Sequence, residues 1–238
     1  MKAVTLGTGI LAGVLVFAPA GWAAYQAGDV KDGGSISGAV KFKGTAPAPK
    51  KLEVSKDQEV CGKTPKTDQS LIVANGNLVN AVVTITDISK GKKVEAKKVT
   101  LDQKGCEYQP HVLAFPAGST VAIVNPDGIL HNVHSYSKVN SPFNMAQPKF
   151  KKTMEVKIDK PETIQLKCDV HGWMEGWLVA TPNPYFSVTD KSGNFKLTDV
   201  PAGTYTVEVW HEKLGKATQK VTVKAKEDAK VNFEMAGK

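Results

Sequence analysis

The most constraining feature of this chain is one short stretch, residues 166–179, which follows a run of alternating apolar and polar residues. It reads LKCDVHGWMEGWLV and carries a thiol at Cys168, an imidazole at His171 and a thioether at Met174. Single Cys and Met residues are most often buried apolar side chains. Three donors on one short loop after a strand form a different pattern, which favours a metal site.

The donor types indicate which metal this site would take. Thiolate, imidazole and thioether ligands are soft or borderline, and they suit copper better than magnesium or calcium. A copper site of the blue type takes one Cys, two His and a weak axial ligand, usually Met. The segment NPDGILHNVHSY offers the missing imidazole at His131. The sequence therefore predicts one copper ion as the cofactor, with the metal ligands His131, Cys168, His171 and Met174.

The other histidines leave a second metal contact open. His134 lies three residues after His131, so on a strand the two side chains would face opposite ways. We expect His134 at the surface or beside the copper ligands. His111 and His211 are expected to be structural, although a metal contact by His111 or His134 stays open.

The two ligand segments resemble those of the cupredoxins. CDVHGWMEGWLVA is similar to the C-terminal copper loop of that family, and its His-x2-Met spacing is that of the amicyanin group. LHNVHSY resembles the segment that carries the first His ligand there. The resemblance spans about residues 97–181 and implies a Greek-key β-sandwich that carries electrons. It also implies that Asn132 supports the site by tying the two ligand loops together. Gly172 stands where amicyanin-like loops carry Pro.

The tail of the chain resembles a second family. YFSVTDKSGNFKLTDVPAGTYTVEVW is similar to the carboxypeptidase-regulatory-like, transthyretin-like β-sandwich, with its TD-x-x-G-x-F and V-P-x-G-x-Y strands. The usual first strand of that family, I-x-G-x-V, is absent just before Tyr185 and occurs instead at residues 36–40. A nested arrangement is therefore predicted, in which the cupredoxin is inserted into the transthyretin-like sandwich. In the alternative, residues 35–96 add strands to the cupredoxin itself.

Strong helical periodicity appears nowhere, so the chain is predicted to be all-β, a cupredoxin Greek-key sandwich combined with a transthyretin-like sandwich. The predicted division is a signal peptide at 1–24, a linker at 25–34, an N-terminal β region at 35–96, the cupredoxin at 97–181 and the carboxypeptidase-regulatory-like region at 182–238.

Residues 1–24 have the composition of a secretory signal. Lys2 precedes a short apolar stretch that is followed by small residues. We expect cleavage, export to the periplasm and no membrane span afterwards, with an uncleaved anchor as the alternative. Oxidising compartments normally pair cysteines. If Cys168 binds copper, Cys61 and Cys106 remain, and they are predicted to form a disulfide.

Charge gives a first indication of the partner. All 31 basic residues are Lys, and the formal net charge is +8. Because Arg is the favoured reader of guanine edges and phosphates, its absence argues against nucleic-acid binding. The Lys excess predicts an acidic partner, steered by Lys151 and Lys152 and docked near Trp173. The edge of His171 is expected to reach the surface there.

These features predict a periplasmic electron carrier and not an enzyme, since no Ser-His-Asp or paired-carboxylate pattern is readable. The cupredoxin resemblance implies a redox partner such as a c-type cytochrome or a periplasmic dehydrogenase. Two alternatives remain. One is a copper-containing secreted protein whose transthyretin-like part binds carbohydrate or another protein. The other is a copper storage or delivery protein.

Overall fold

The structure is a computed structural model that describes residues 25–237, and it consists of β-strands with one short helix. The prediction of an all-β, sandwich-like fold is confirmed. The predicted signal peptide lies outside the described residues. None of the described helices is long and apolar enough to span a membrane.

The first half of the described chain contains the helix α1 (Gln58–Cys61) and eleven strands. These strands are β1 (Gln26–Ala27), β2 (Gly34–Lys43), β3 (Lys51–Leu52), β4 (Lys66–Thr67), β5 (Val73–Ala74), β6 (Asn77–Leu78), β7 (Val82–Ile85), β8 (Lys90–Gly91), β9 (Lys98–Asp102), β10 (Val112–Pro116) and β11 (Ser119–Val124).

The second half is formed by eleven further strands. They are β12 (His131–Ser135), β13 (Asn144–Gln147), β14 (Thr153–Ile158), β15 (Glu162–Lys167), β16 (Glu175–Thr181), β17 (Phe186–Val188), β18 (Asn194–Val200), β19 (Gly203–His211), β20 (Gly215–Val223), β21 (Asp228–Lys230) and β22 (Phe233–Ala236).

One sandwich, here the outer sandwich, joins the N-terminal strands to the C-terminal tail. Its first sheet has the order β18-β2-β6-β5, with β21 and β22 also paired to β2. Its second sheet has the order β17-β7-β19-β20. Apolar side chains from both sheets, such as Ile36, Val83 and Phe233, form one buried core. The strand that contains I-x-G-x-V thus pairs with the tail, as the nested arrangement predicts.

The glycine of that motif has a steric reason. At Gly38 an added Cβ would lie 1.7 Å from the carbonyl oxygen of Val231. The chain between β21 and β22 passes directly over β2 here, and the Val231 amide donates to the carbonyl of Ser37 at 3.0 Å. Only a residue without a side chain allows this close approach.

The other sandwich, here the inserted sandwich, is built from β9 to β16. Its sheets have the orders β10-β16-β15-β12-β13 and β14-β11-β9. Both sheets contribute to a second buried core, for example through Leu101, Val121, Val133 and Leu178. In its sheet, β15 lies between β12 and β16. The C-terminal end of β15 therefore has β12, which begins with His131, on one side and β16, which follows the loop with Cys168 and Met174, on the other.

The segment predicted as a linker, residues 25–34, is partly anchored. Gln26–Ala27 pairs in parallel with Lys90–Gly91, and the ring of Tyr25 lies 6.4 Å from that of Tyr185. A two-residue strand is too short to show a period of its own, so the sequence pattern could not reveal it.

The two sandwiches meet through a small apolar contact. Val82 of the outer sandwich is buried with Val112 and Val179 of the inserted sandwich. Beside them the rings of Trp177 and Trp210 meet edge to face, with centroids 5.2 Å apart.

Candidate metal centre

The predicted ligands come from the ends of neighbouring strands. His131 is the first residue of β12, and Cys168 directly follows β15. The turn after Cys168 folds back on itself, because the Met174 amide donates to the His171 carbonyl at 2.9 Å. The Cys168 amide donates to the Met174 carbonyl at 3.1 Å. The strand order and this turn therefore bring together side chains that are far apart in the sequence.

Three of the predicted ligands point their donor atoms at one place. The Nδ1 atoms of His131 and His171 lie 3.0 Å apart, and the Sγ atom of Cys168 lies 3.7 Å from Nδ1 of His171. One donor atom from each of the three lies within 4.8 Å of the others, and all three side chains are buried. Met174 is buried in the same core, with 1 % of its surface exposed.

Each imidazole contacts a carboxylate through the ring nitrogen that faces away from the candidate centre. Nε2 of His131 lies 2.9 Å from Oδ2 of Asp127, and Nε2 of His171 lies 2.8 Å from Oδ2 of Asp57. A carboxylate accepts the N–H of the ring, so Nδ1 keeps its lone pair and faces the centre. This is the arrangement that orients metal-binding histidines and raises their basicity.

The thiol is set up to ionise. Burial opposes ionisation of Cys168, but its polar contacts with the side chains of His131 and His171 outweigh the burial and lower the pKa of the thiol to about 6. The backbone amide of His171 adds a further contact to Sγ at 3.4 Å. Because the thiolate is the form that binds metals, this lowered pKa suits Cys168 to act as a metal ligand.

Asn132 connects the two ligand segments. Its side-chain oxygen accepts a hydrogen bond from the amide of Asp169, the residue after Cys168, at 2.5 Å. Its backbone carbonyl accepts from the hydroxyl of Tyr108 at 2.7 Å. These contacts join the start of β12 to the residue after Cys168 and to Tyr108.

The remaining histidines lie apart from the centre. His134 binds the carboxylate of Asp169 at 3.1 Å and stacks on Tyr136, while His111 pairs with Glu212. Neither belongs to a group of three potential metal ligands among residues 25–237. A second such group, Cys106, Asp127 and His131, includes a cysteine that is already in a disulfide.

The predicted cysteine pair is joined. Cys61 and Cys106 form a disulfide, with their Cα atoms 5.3 Å apart. Among the described cysteines, Cys168 alone is free. The disulfide attaches the region around the short helix to the inserted sandwich, close to the centre.

The expectation that the His171 edge reaches the surface is wrong. His171 has 0 % of its surface exposed, because Asp57 lies over its outer nitrogen. Trp173 is half-buried, and its indole N–H donates to the Cys106 carbonyl at 3.2 Å. Lys151 and Lys152 are exposed.

Sequence reasoning missed Asp57 and Asp127. Asp57 belongs to the polar, aperiodic segment 52–70, where an acidic residue looks like any other surface group. The one available signal was Cys61, four residues further on, since its predicted disulfide would bring this segment to the inserted sandwich.

Comparison with known proteins agrees with the tail assignment. Residues 178–236 match the sequence model of the carboxypeptidase regulatory-like domain. No curated protein matches the sequence.

Several solved copper proteins show a weak structural likeness to part of the chain. One is a Cu-containing nitrite reductase from Thermus scotoductus SA-01, with 24 % identity and a TM-score of 0.34 over 38 % of this chain. This likeness spans 24 % of the reductase. Another is an amicyanin variant in the Cu(I) form, with 21 % identity, a TM-score of 0.32, and coverage of 35 % of this chain and 82 % of that protein.

Proposed function

We propose that this protein is a periplasmic blue copper protein that carries single electrons between redox partners and catalyses no reaction of its own. The observation that carries the proposal is the convergence of two Nδ1 atoms and one thiol in a buried pocket of the inserted sandwich. The donor set of one Cys and two His, with a Met on the same loop, is the one that blue copper takes. Copper, when bound, supplies a one-electron redox couple.

The residues of this chain would hold the metal in nearly the same place in both oxidation states. His131, Cys168 and His171 would be its main ligands, with Met174 as the weak fourth. Asp127 and Asp57 hold the two imidazoles, and Asn132 holds the strand end that carries His131 against the loop after Cys168. Ligands fixed in this way move little when the charge of the metal changes.

The partner is proposed to be an acidic redox protein, such as a c-type cytochrome or a periplasmic dehydrogenase. Lys149, Lys151 and Lys152 are exposed around Phe150, which has 81 % of its surface exposed. His131 pairs with Gln147 across β12 and β13, so the turn at 148–152 lies at the His131 end of the sheet.

Because Asp57 covers the edge of the His171 ring, that edge does not reach the surface. Docking is therefore proposed on this turn and on Leu130, which precedes His131 and is 44 % exposed. Apolar side chains ringed by charge suit a small, weak interface that forms fast and releases fast.

The visible spectrum of the copper-loaded protein tests the proposal. We expect an intense thiolate-to-copper band that Cys168→Ala abolishes. His134→Gln is the matched control, since His134 lies outside the centre, and it should keep the band. A wild-type protein that binds copper without this colour would contradict the proposal.

A further inference from the structure

A loop whose two ends are held together by strand pairing lies over the candidate metal centre. Residues 53–65, here the cover segment, begin after β3 and end before β4, and these two strands pair antiparallel at its base. Its middle contains α1, whose last residue, Cys61, is bonded to Cys106. The cover segment is therefore fixed to the inserted sandwich at one point by a covalent bond.

The second point of attachment is Asp57. This residue stands just before α1, where an Asp side chain ordinarily accepts a hydrogen bond from the first turn of the helix. Here the side chain makes no such bond, and its Oδ2 lies 2.8 Å from Nε2 of His171 instead. The carboxylate is thus turned away from its usual local partner and toward the metal centre.

The backbone of Asp57 has an uncommon conformation at this contact. Its φ is +48°, in the left-handed region that few residues other than Gly, Asn and Asp adopt readily. In the His171–Asp57 pair, the His171 side chain has no exposure, while the Asp57 side chain is 29 % exposed. The carboxylate therefore stands between the imidazole and solvent.

We propose that Asp57 positions His171 and holds the disulfide-anchored cover segment closed over the metal centre. The closure itself concerns this chain alone, and only its consequence for copper rests on the proposed function. Two properties follow: the metal-free thiol of Cys168 is shielded from reagents on this side, and bound copper has a negative charge next to one of its ligands.

Alkylation of Cys168 in the metal-free protein by iodoacetamide tests the closure. Asp57→Gly removes the carboxylate, and glycine tolerates the left-handed backbone without strain. We expect alkylation about tenfold faster than in wild type, equivalent to about 1.4 kcal/mol of opening free energy. Glu59→Gln, an exposed change on the same helix, should alkylate at the wild-type rate.

Asp57→Asn separates charge from closure. Asn keeps an acceptor oxygen and the backbone conformation, so we expect near wild-type alkylation. The loss of negative charge beside His171 should nevertheless raise the reduction potential of the copper-loaded protein, since the carboxylate favours the more positive Cu(II) state. This variant also serves if Asp57→Gly does not fold.

The proposal is overturned if folded Asp57→Gly and wild type alkylate at equal rates, or if Asp57→Asn and wild type share one potential. Failure of the proposed function has a different signature. In that case wild type would show no copper band, while the order of alkylation rates would still report on the cover segment.

Discussion

Single carboxylates should decide how firmly the centre holds its ligands. Asp127 accepts from Nε2 of His131 and also from the amides of Gly105 and Cys106, each of these at 2.7 Å. We predict that Asp127→Asn weakens copper affinity by about 10–100-fold, because it loosens and depolarises the first imidazole. Competitive titration with a copper chelator measures this. Asp159→Asn, on an exposed ion pair with Lys157, is the control and should leave the affinity unchanged.

The candidate ligands could be proposed from the sequence, whereas the carboxylates that contact the two imidazoles could not. Cys168, His171 and Met174 share one short loop, so residue type and spacing were enough. His131 required one further segment with a suitable imidazole. Asp57 is brought to His171 from 114 positions away by the tertiary fold, and no local pattern marks such a contact.

Glu162 organises the connection between β12 and β13. Its carboxylate accepts from the hydroxyl of Ser137 and from the backbone amides of Val139 and Asn140. Partial burial opposes ionisation, but these hydrogen bonds outweigh it and lower the pKa of Glu162 to about 2. One side chain at the start of β15 thus fixes the loop that follows β12.

The pH dependence of that contribution has a definite sign. The folded pKa lies below the ordinary value of 4.5, so the stabilisation is full above pH 4.5 and is lost as pH falls toward 2. We predict that Glu162→Gln lowers the free energy of unfolding by about 1–3 kcal/mol at pH 7, as expected for lost hydrogen bonds to a charged group. The difference from wild type should shrink at pH 2–3.

Urea denaturation at both pH values checks this prediction. Glu155→Gln, which removes an exposed ion pair with Lys98, should cost only about 0–1 kcal/mol at pH 7. An equal loss for Glu162→Gln at both pH values would show that the carboxylate charge is not responsible.

The element pattern was predictable where strands are long and turns are marked. Alternation in β14 and β15 and the Asn75-Gly76 turn between β5 and β6 were readable in the sequence. The two-residue strands β1, β3, β4 and β8 could not be predicted, because two residues are too few to show an alternating pattern. Their pairing depends on the neighbouring strand that the fold brings beside them.

At the scale of the whole molecule, the outer sandwich depends on both ends of the chain. β2 pairs with β18, β21 and β22, all of them beyond residue 190. We predict that a chain ending at Pro184 exposes the apolar faces of β2 and β7 and is insoluble. Soluble yield after expression measures this, and a soluble, blue fragment would show that the N-terminal strands do not need the tail.

The exposed lysines should also affect the whole molecule, by changing how fast it associates with a charged partner. Replacing Lys151 and Lys152 with Glu should slow electron transfer to an acidic cytochrome without changing the copper spectrum. The steering falls as salt shortens the Debye length to about 10 Å at 0.1 M. Stopped-flow measurements over a salt series, with Lys220→Glu on the outer sandwich as control, test it. Equal rates with acidic and basic cytochromes at low salt would contradict the prediction.

The nested topology also sets an order of assembly. During synthesis, which starts at the N-terminus, β2 is made early, but its partner β22 is complete only at residue 236. The inserted sandwich has all its strands by Thr181 and needs no later residue for its own sheets. Contacts between sequence-distant strands form slowly. We therefore expect the inserted sandwich to fold first, with the strands of the outer sandwich closing around a part that is already folded.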